Sequence, residues 1–190
     1  MSKGLTLVLG GARSGKSDFA LELALRNGGP VLFVATAEPG DEEMRARIEA
    51  HRGERPRSWR VFEAPRGVGR LLTAEYGGEA TVLVDCVTML VSNVLLASLP
   101  ASGVFGVAEA RAALEAVRRE IEELLDVVAR HPARYILVSN EVGLGVVPDN
   151  ALARLYRDAL GRANRLLAAR ADRVYLLVAG VPLAVKGPGR

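Results

Sequence analysis

The chain has 190 residues, enough for one sizeable core and short for two, so a single nucleotide-binding catalytic domain over 1–190 is the expectation. Hydrophobic residues make up 49% and charged residues 25%, a balance that excludes a disordered or fibrous chain. The net charge of +3, with arginines interspersed among carboxylates, points to no nucleic-acid partner.

The N-terminus runs straight into a strand-like stretch, Leu5–Leu9, without a charged and then apolar leader, so no signal peptide is expected. Directly after it, Gly10-Gly11-Ala12-Arg13-Ser14-Gly15-Lys16-Ser17 matches G-x-x-x-x-G-K-[ST], and a helical run from Asp18 to Arg26 follows. Strand, glycine-rich loop and helix in that order make a phosphate-binding loop. Glycines let successive N–H groups and the helix N-terminus converge on phosphate oxygens, while Lys16 reaches the β/γ-phosphates and Ser17 can ligate Mg²⁺. Lys16 is one of only three lysines, with Lys3 and Lys186, which weighs against a chance match. ATP or GTP is the expected ligand.

Further strand-length apolar runs lie at Val31–Val34, Thr81–Val84, Tyr135–Val138 and Val174–Val178, with helical periodicity between most of them. Alternation of this kind predicts an α/β domain with a mainly parallel sheet covered on both faces. After Asp41 a helix is predicted with Met44, Ile48 and His51 on one face, ending near Pro56. A short strand near Trp59–Phe62, a helix from about Arg66 to Glu75, and helices over Val87–Leu99 and Val107–Arg130 come next.

The stretch Val87–Leu99 is the most hydrophobic, yet it is too short to span a bilayer and contains Ser92 and Asn93. Asn140 to Pro148 reads as irregular, followed by a helix from Asn150 to about Arg170. At the end, Val174–Val178 and Leu183–Lys186 flank a connection too short for a crossover, so they must be antiparallel if they pair. Cys86 is the only cysteine, which excludes an intramolecular disulfide and makes the cytoplasm the expected compartment.

Asp85 ends the Thr81–Val84 run, where a P-loop fold places a second Mg²⁺-associated carboxylate, acting directly or through water; a turn-forming role is the alternative. Of the two histidines, His131 precedes Pro132 at a helix end and reads as a cap. If the chemistry uses an imidazole, His51 is the candidate; taken alone it reads as a partly buried structural histidine.

Several segments recur together in one order: Gly10–Ser17, Ala35-Thr36-Ala37, Asp41–Met44 through Arg47–Arg52, Arg55-Pro56, Asp85-Cys86-Val87-Thr88, Ser139–Gly143 through Pro148-Asp149-Asn150, and Gly161-Arg162-Ala163-Asn164. On these the chain resembles, over essentially its whole length, the bifunctional adenosylcobinamide kinase/adenosylcobinamide-phosphate guanylyltransferase family of cobalamin biosynthesis. The resemblance implies a RecA-like P-loop NTPase fold in three layers with a C-terminal antiparallel hairpin. It implies phosphorylation of the aminopropanol hydroxyl of adenosylcobinamide by ATP or GTP, then transfer of GMP from GTP through a GMP-histidine intermediate.

By the same correspondence the nucleophile is His51; some members carry a histidine pair where this chain has Ala50-His51. Nucleotide contacts are implied for Gly10–Ser17, Ala35, Thr36, Ala37, Arg52, Gly53, Glu54, Arg55, Glu63 and Asp85, with Mg²⁺ at Ser17 and Asp85. For the arginines and Glu63, a solvated surface position explains the residue equally well. A homotrimer is implied too, although burial inside the monomer would account for the Val87–Leu99 helix. The alternatives are a small-molecule P-loop kinase without nucleotidyl transfer, and a nucleotide-dependent switch or motor subunit.

Overall fold

The computed structural model describes residues 4–38, 40, 42, 45, 49, 53 and 55–187. In chain order its elements are β1 (Gly4–Gly10), α1 (Lys16–Asn27), β2 (Val31–Ala35), β3 (Arg60–Glu63), α2 (Val68–Glu75), β4 (Thr81–Asp85), α3 (Val87–Ala97), α4 (Val107–Arg130), β5 (Arg134–Asn140), α5 (Ala151–Arg170), β6 (Arg173–Val178) and β7 (Val181–Lys186). The helix predicted after Asp41, with Met44, Ile48 and His51, falls largely outside the described residues. Glu42, Arg45, Glu49 and Gly53 within it have helical backbone and are exposed.

The strands form one sheet in the order β3-β2-β4-β5-β1-β6-β7. All pairs are parallel except β6 with β7. Apolar residues on both faces of the central strands produce two cores. Leu5, Leu7, Leu32, Val34, Val82, Val84, Tyr135 and Leu137 pack with α2, α3, α4 and α5, while Val8, Phe33, Leu83, Ile136 and Val138 pack with α1 and Trp59. Continuous apolar strands are what a parallel sheet buried on both sides requires, and the three-layer, mainly parallel arrangement with a C-terminal antiparallel pair is as expected.

Two boundaries differ from expectation for nonlocal reasons. α2 starts at Val68 rather than near Arg66, because the Glu120 carboxylate of α4 accepts from Gly67 N–H at 3.0 Å and Val68 N–H at 2.8 Å. A side chain more than fifty residues away caps that helix. The terminal hairpin forms as predicted, but β7 begins two residues early, at Val181. Ala179 and Gly180 take φ values of 49° and 83°, the two positive dihedrals of a two-residue type I′ turn.

At the N-terminal edge of the sheet, Glu79 is buried and accepts from Arg60 Nε at 2.7 Å and from Gly77 N–H at 2.9 Å. His131 caps α4 as expected, its ring stacked on Tyr76 at 4.3 Å and bonded through Nδ1 to Tyr135 OH at 2.8 Å. Burial opposes ionisation of Glu79, but Arg60 and the backbone N–H groups outweigh it and hold the carboxyl below its ordinary value. Its stabilisation is therefore present above the unfolded carboxyl's pKa and lost as pH falls through the lower folded value. Glu79→Gln should lower stability at pH 7 by about 1 kcal/mol, reduced from the buried limit because Arg60 is part-exposed. Urea titrations should show the gap from wild type closing as pH drops through the acid range; a gap independent of pH would refute the charged pairing.

Candidate active site

The parallel registers bring the expected ligand residues to one edge. Ala35 lies opposite both Glu63 and Asp85, Asp85 opposite Val138, and Gly10 opposite Asn140 and Leu177. β2 and β4 end in one row and β1 and β5 run two residues further, and the loops leaving them converge on the crevice where open α/β sheets bind ligands.

From Gly10 the chain turns through Arg13, with φ 55°, and Gly15, with φ 85°, into α1. Gly10 has no room for a side chain: a Cβ there would lie 2.5 Å from Ser14 Oγ and 2.8 Å from the Leu177 carbonyl. Gly15 is the N-cap of α1, and no side chain caps it, which leaves the first-turn N–H groups directed along the helix axis toward the loop. Gly11, Ala12 and Arg13 are exposed, Gly15 and Ser17 half-buried. Lys16 is buried, and its ammonium donates to the Gly11 carbonyl at 2.5 Å, so its charge already lies across the loop. Ser14 Oγ is buried without a partner among the described residues, an orphaned donor that a phosphate oxygen would satisfy.

The turn of the terminal hairpin braces this loop. Gly180 N–H donates to the Ser14 carbonyl at 3.0 Å, and a Cβ on Gly15 would meet Gly180 Cα at 3.3 Å. An antiparallel hairpin with no ligand residue of its own thus sets how far the loop can open.

On the other side of the crevice, Ala35 and Ala37 are half-buried and Thr36 is fully buried. The Thr36 hydroxyl donates to the Cys86 carbonyl at 2.7 Å and accepts from Cys86 N–H at 2.8 Å. Its side chain is committed to holding the end of β2 beside Asp85. Asp85 itself is half-buried, Glu63 is exposed, and Gly53 is exposed on helical backbone. Arg55 lies 4.2 Å over the Phe33 ring, a cation–π contact that docks its segment onto β2. His51, Arg52 and Glu54 lie outside the described residues.

Four further residues complete the scaffold without having been expected in it. Asn93 donates to the carbonyls of Thr36 at 2.8 Å and Pro65 at 3.1 Å, tying the exits of β2 and β3 to α3. Thr88 Oγ1 accepts from Asn140 N–H at 2.7 Å, and Asn164 joins Ser139 Oγ at 2.7 Å to the Asn140 carbonyl at 2.9 Å. The signal available was a buried amide in an otherwise apolar helix face, at 93 and at 164. Beside Asp85, burial and then the neighbouring carboxylate push the Cys86 thiol up to about 11, which leaves it a protonated, poorly nucleophilic group.

Ser17 and Asp85 offer a hydroxyl and a carboxylate, the hard oxygen donors that Mg²⁺ takes when most of its shell comes from water and phosphates. Among the described residues no group of three or more acidic, histidine or cysteine side chains forms a metal cage.

A glycine loop braced at the C-terminal edge of a parallel sheet, with a buried lysine and a facing carboxylate, defines a P-loop nucleotide-handling protein. The family model described as cobinamide kinase / cobinamide phosphate guanyltransferase matches residues 6–185, and the chain belongs to that family. It is 42% identical over 186 residues to the bifunctional adenosylcobalamin biosynthesis protein CobU of Salmonella typhimurium, spanning 96% of this chain and 99% of that one. The bifunctional adenosylcobalamin biosynthesis protein CobP of Pseudomonas aeruginosa is 42% identical over 181 residues, 95% of this chain and 96% of that protein. CobU of Escherichia coli is 41% identical over 182 residues, 96% and 99% respectively. Among solved structures, the RadB recombinase superposes with a TM-score of 0.48 at 20% identity, covering 92% of this chain and 74% of that chain.

Lys16→Ala should reduce turnover with ATP or GTP by about 10²–10⁴, the loss expected when a preorganised charge is removed from a phosphoryl-transfer site. Unchanged turnover in the folded variant would rule out this loop as the site. Asn93→Leu leaves two carbonyls without a donor and should cost about 2 kcal/mol of stability. A thermal melt indistinguishable from wild type would show that the tether is not needed.

Proposed function

We propose that the chain is a bifunctional adenosylcobinamide kinase and adenosylcobinamide-phosphate guanylyltransferase, one catalytic domain in which a single nucleotide cradle serves both reactions. The observation that carries the reading is the convergence of the loops leaving β1 and β4 at the same edge of the parallel sheet, with Lys16 and Ser17 on one side of the crevice and Asp85 on the other, in a chain of this family. We place the enzyme in the cytoplasm, working as a homotrimer. No helix among the described residues is long and apolar enough to cross a membrane.

In the kinase step the aminopropanol hydroxyl oxygen bonds to the γ-phosphorus, the bridge from the β-phosphate breaks, and the hydroxyl proton departs. Gly10–Ser17 would hold the phosphates through backbone N–H groups, with Lys16 opposing the charge that grows on the leaving diphosphate. Ser17 and Asp85 would hold Mg²⁺, which supplies charge neutralisation across the phosphates when bound.

In the guanylyl step the same donors would stabilise departing pyrophosphate. An imidazole nitrogen of His51 attacks the α-phosphorus: a P–N bond forms and the α–β bridge breaks. A phosphate oxygen of adenosylcobinamide phosphate then displaces the imidazole, giving adenosylcobinamide-GDP and restoring His51. Imidazole is largely neutral at pH 7 and needs little activation for this role. The nucleophile must approach from outside the cradle. Ala35, Thr36, Ala37, Arg52, Gly53, Glu54, Arg55 and Glu63 are assigned to the nucleotide environment, Thr36 by positioning the end of β2.

His51→Asn separates this reading from a kinase without nucleotidyl transfer. Kinase turnover should persist at least in part, while guanylyl transfer collapses. Wild type incubated with α-labelled GTP should acquire an acid-labile adduct and release pyrophosphate, and the variant should do neither. Labelling of the folded variant would place the nucleophile elsewhere, and absence of labelling in wild type would favour the kinase-only alternative.

A further inference from the structure

The Ser139-Asn140-Glu141 stretch at the tip of β5 has no part in either reaction step above, yet its backbone is pinned on every side. Asn140 N–H donates to Thr88 Oγ1 at 2.7 Å, the Asn140 carbonyl accepts from Asn164 Nδ2 at 2.9 Å, and Glu141 N–H donates to the Gly10 carbonyl at 2.9 Å. The Asn140 side chain is not committed in the same way. It is half-buried, and its amide makes no hydrogen bond among the described residues. A fixed backbone carrying an uncommitted amide is a preorganised donor for a group that is not protein.

Strand geometry places that amide. Side chains alternate across a sheet: Ile136 and Val138 of β5 pack in the core under α1, Tyr135 and Leu137 pack in the core under the other four helices, and Ser139 meets Asn164 of α5. Asn140 therefore projects on the α1 face, as does Asp85, two residues after Leu83 of the same core. In register Asn140 lies opposite Gly10, and paired strands are about 4.8 Å apart. A Cβ on Gly10 would stand 2.5 Å from the hydroxyl of Ser14, a residue 9% exposed whose Oγ has no partner among the described residues. Because Gly10 has no side chain, it leaves open the gap between Asn140 and that hydroxyl, and two donors border one space beside the phosphate loop.

The space lies where the phosphate chain ends. Loop N–H groups cradle the inner phosphates, and the terminal one extends past the loop toward the carboxylate side of the crevice. Asp85 on β4 marks that side, and the one strand between β4 and β1 is β5. We infer that Asn140 recognises the γ-phosphate: its side-chain NH₂ donates to a γ-oxygen, with Ser14 Oγ as a second donor, so that the site separates nucleoside triphosphate from diphosphate. The inference rests on the cradle reading above and adds a specificity-determining residue to it. Once a diphosphate remains, both donors lose their acceptor, which weakens product relative to substrate.

The test measures the affinity of the full chain, with Mg²⁺ present, for β,γ-imido-ATP and for ADP by titration calorimetry. Adenine nucleotides are used because guanylyl transfer to His51 consumes GTP. Asn140→Leu removes the amide at similar volume, and Asn140→Asp keeps the shape while setting a carboxylate against the phosphate; circular dichroism checks that each folds. Asn140→Leu should bind β,γ-imido-ATP about 10–10²-fold more weakly than wild type, and Asn140→Asp more weakly still, while both bind ADP as wild type does. Equal losses for the two nucleotides would make Asn140 a support of the loop, and no loss for either would remove it from the site; both results overturn the inference. If only Asn140→Asp folds, its triphosphate-to-diphosphate ratio decides alone. Lys16→Ala tests the cradle separately: wild-type affinity for both nucleotides overturns the site and this inference with it, whereas weakened binding of both leaves the cradle standing whatever Asn140 shows.

Discussion

The in-register pairing of four parallel strands is the constraint on which the rest of the site depends. Ala35 and Asp85 stand in one row with Val138 and Val8, and Gly10 and Asn140 lie two residues beyond it, because β2, β4, β5 and β1 pair with no shift among the parallel pairs. A phosphate cradle works by convergence: donors must already point at one place, since reorganising them during the reaction would cost what they contribute. The sheet supplies that placement, and its two cores, one under four helices and one under α1, hold it from both sides.

Strand pairing alone would leave the loops between the strands loose. What fixes them is a set of buried polar groups that are almost all paired. Thr36 binds the backbone of Cys86, Asn93 joins the exits of β2 and β3, Thr88 and Asn164 hold Asn140, and Gly180 holds Ser14. Such bonds add little net stability each, but leaving one partner unmet in the interior is expensive, so the alternatives to this one arrangement are penalised. Among the described residues two buried side-chain atoms lack a partner, Arg134 Nε at the start of β5 and Ser14 Oγ, which sits in the cradle itself. An unmet donor at the point of ligand contact is the local departure from good packing that a functional site displays.

Much of this was legible because it is local in the chain. The phosphate loop is one contiguous octet whose glycines, lysine and serine each have a physical task. The hairpin follows from a connection too short for any parallel return. The strands announce themselves as apolar runs and α4 as a strict helical period. Tertiary features were not legible: α2 begins at Val68 because Glu120 reaches it from α4, and the early start of β7 depends on Ala179 tolerating a positive φ. Thr36 could be placed near the nucleotide from its segment, yet only the structure shows its hydroxyl spent on Cys86. Asn93 and Asn164 looked like polar interruptions of apolar helices; their function as tethers depends on which strand end each helix crosses.

The proposed use of one cradle for two chemistries has a consequence in binding that is independent of either reaction. Gly10–Ser17 can hold one set of phosphates at a time, so ATP and GTP must exclude each other on the same chain. Equilibrium dialysis with labelled, non-hydrolysable ATP and GTP analogues, Mg²⁺ present, measures this directly. The account predicts one nucleotide per chain at saturation with either analogue or with both together, each displacing the other completely. Two nucleotides bound per chain, or a fraction of one that the other cannot displace, would contradict it.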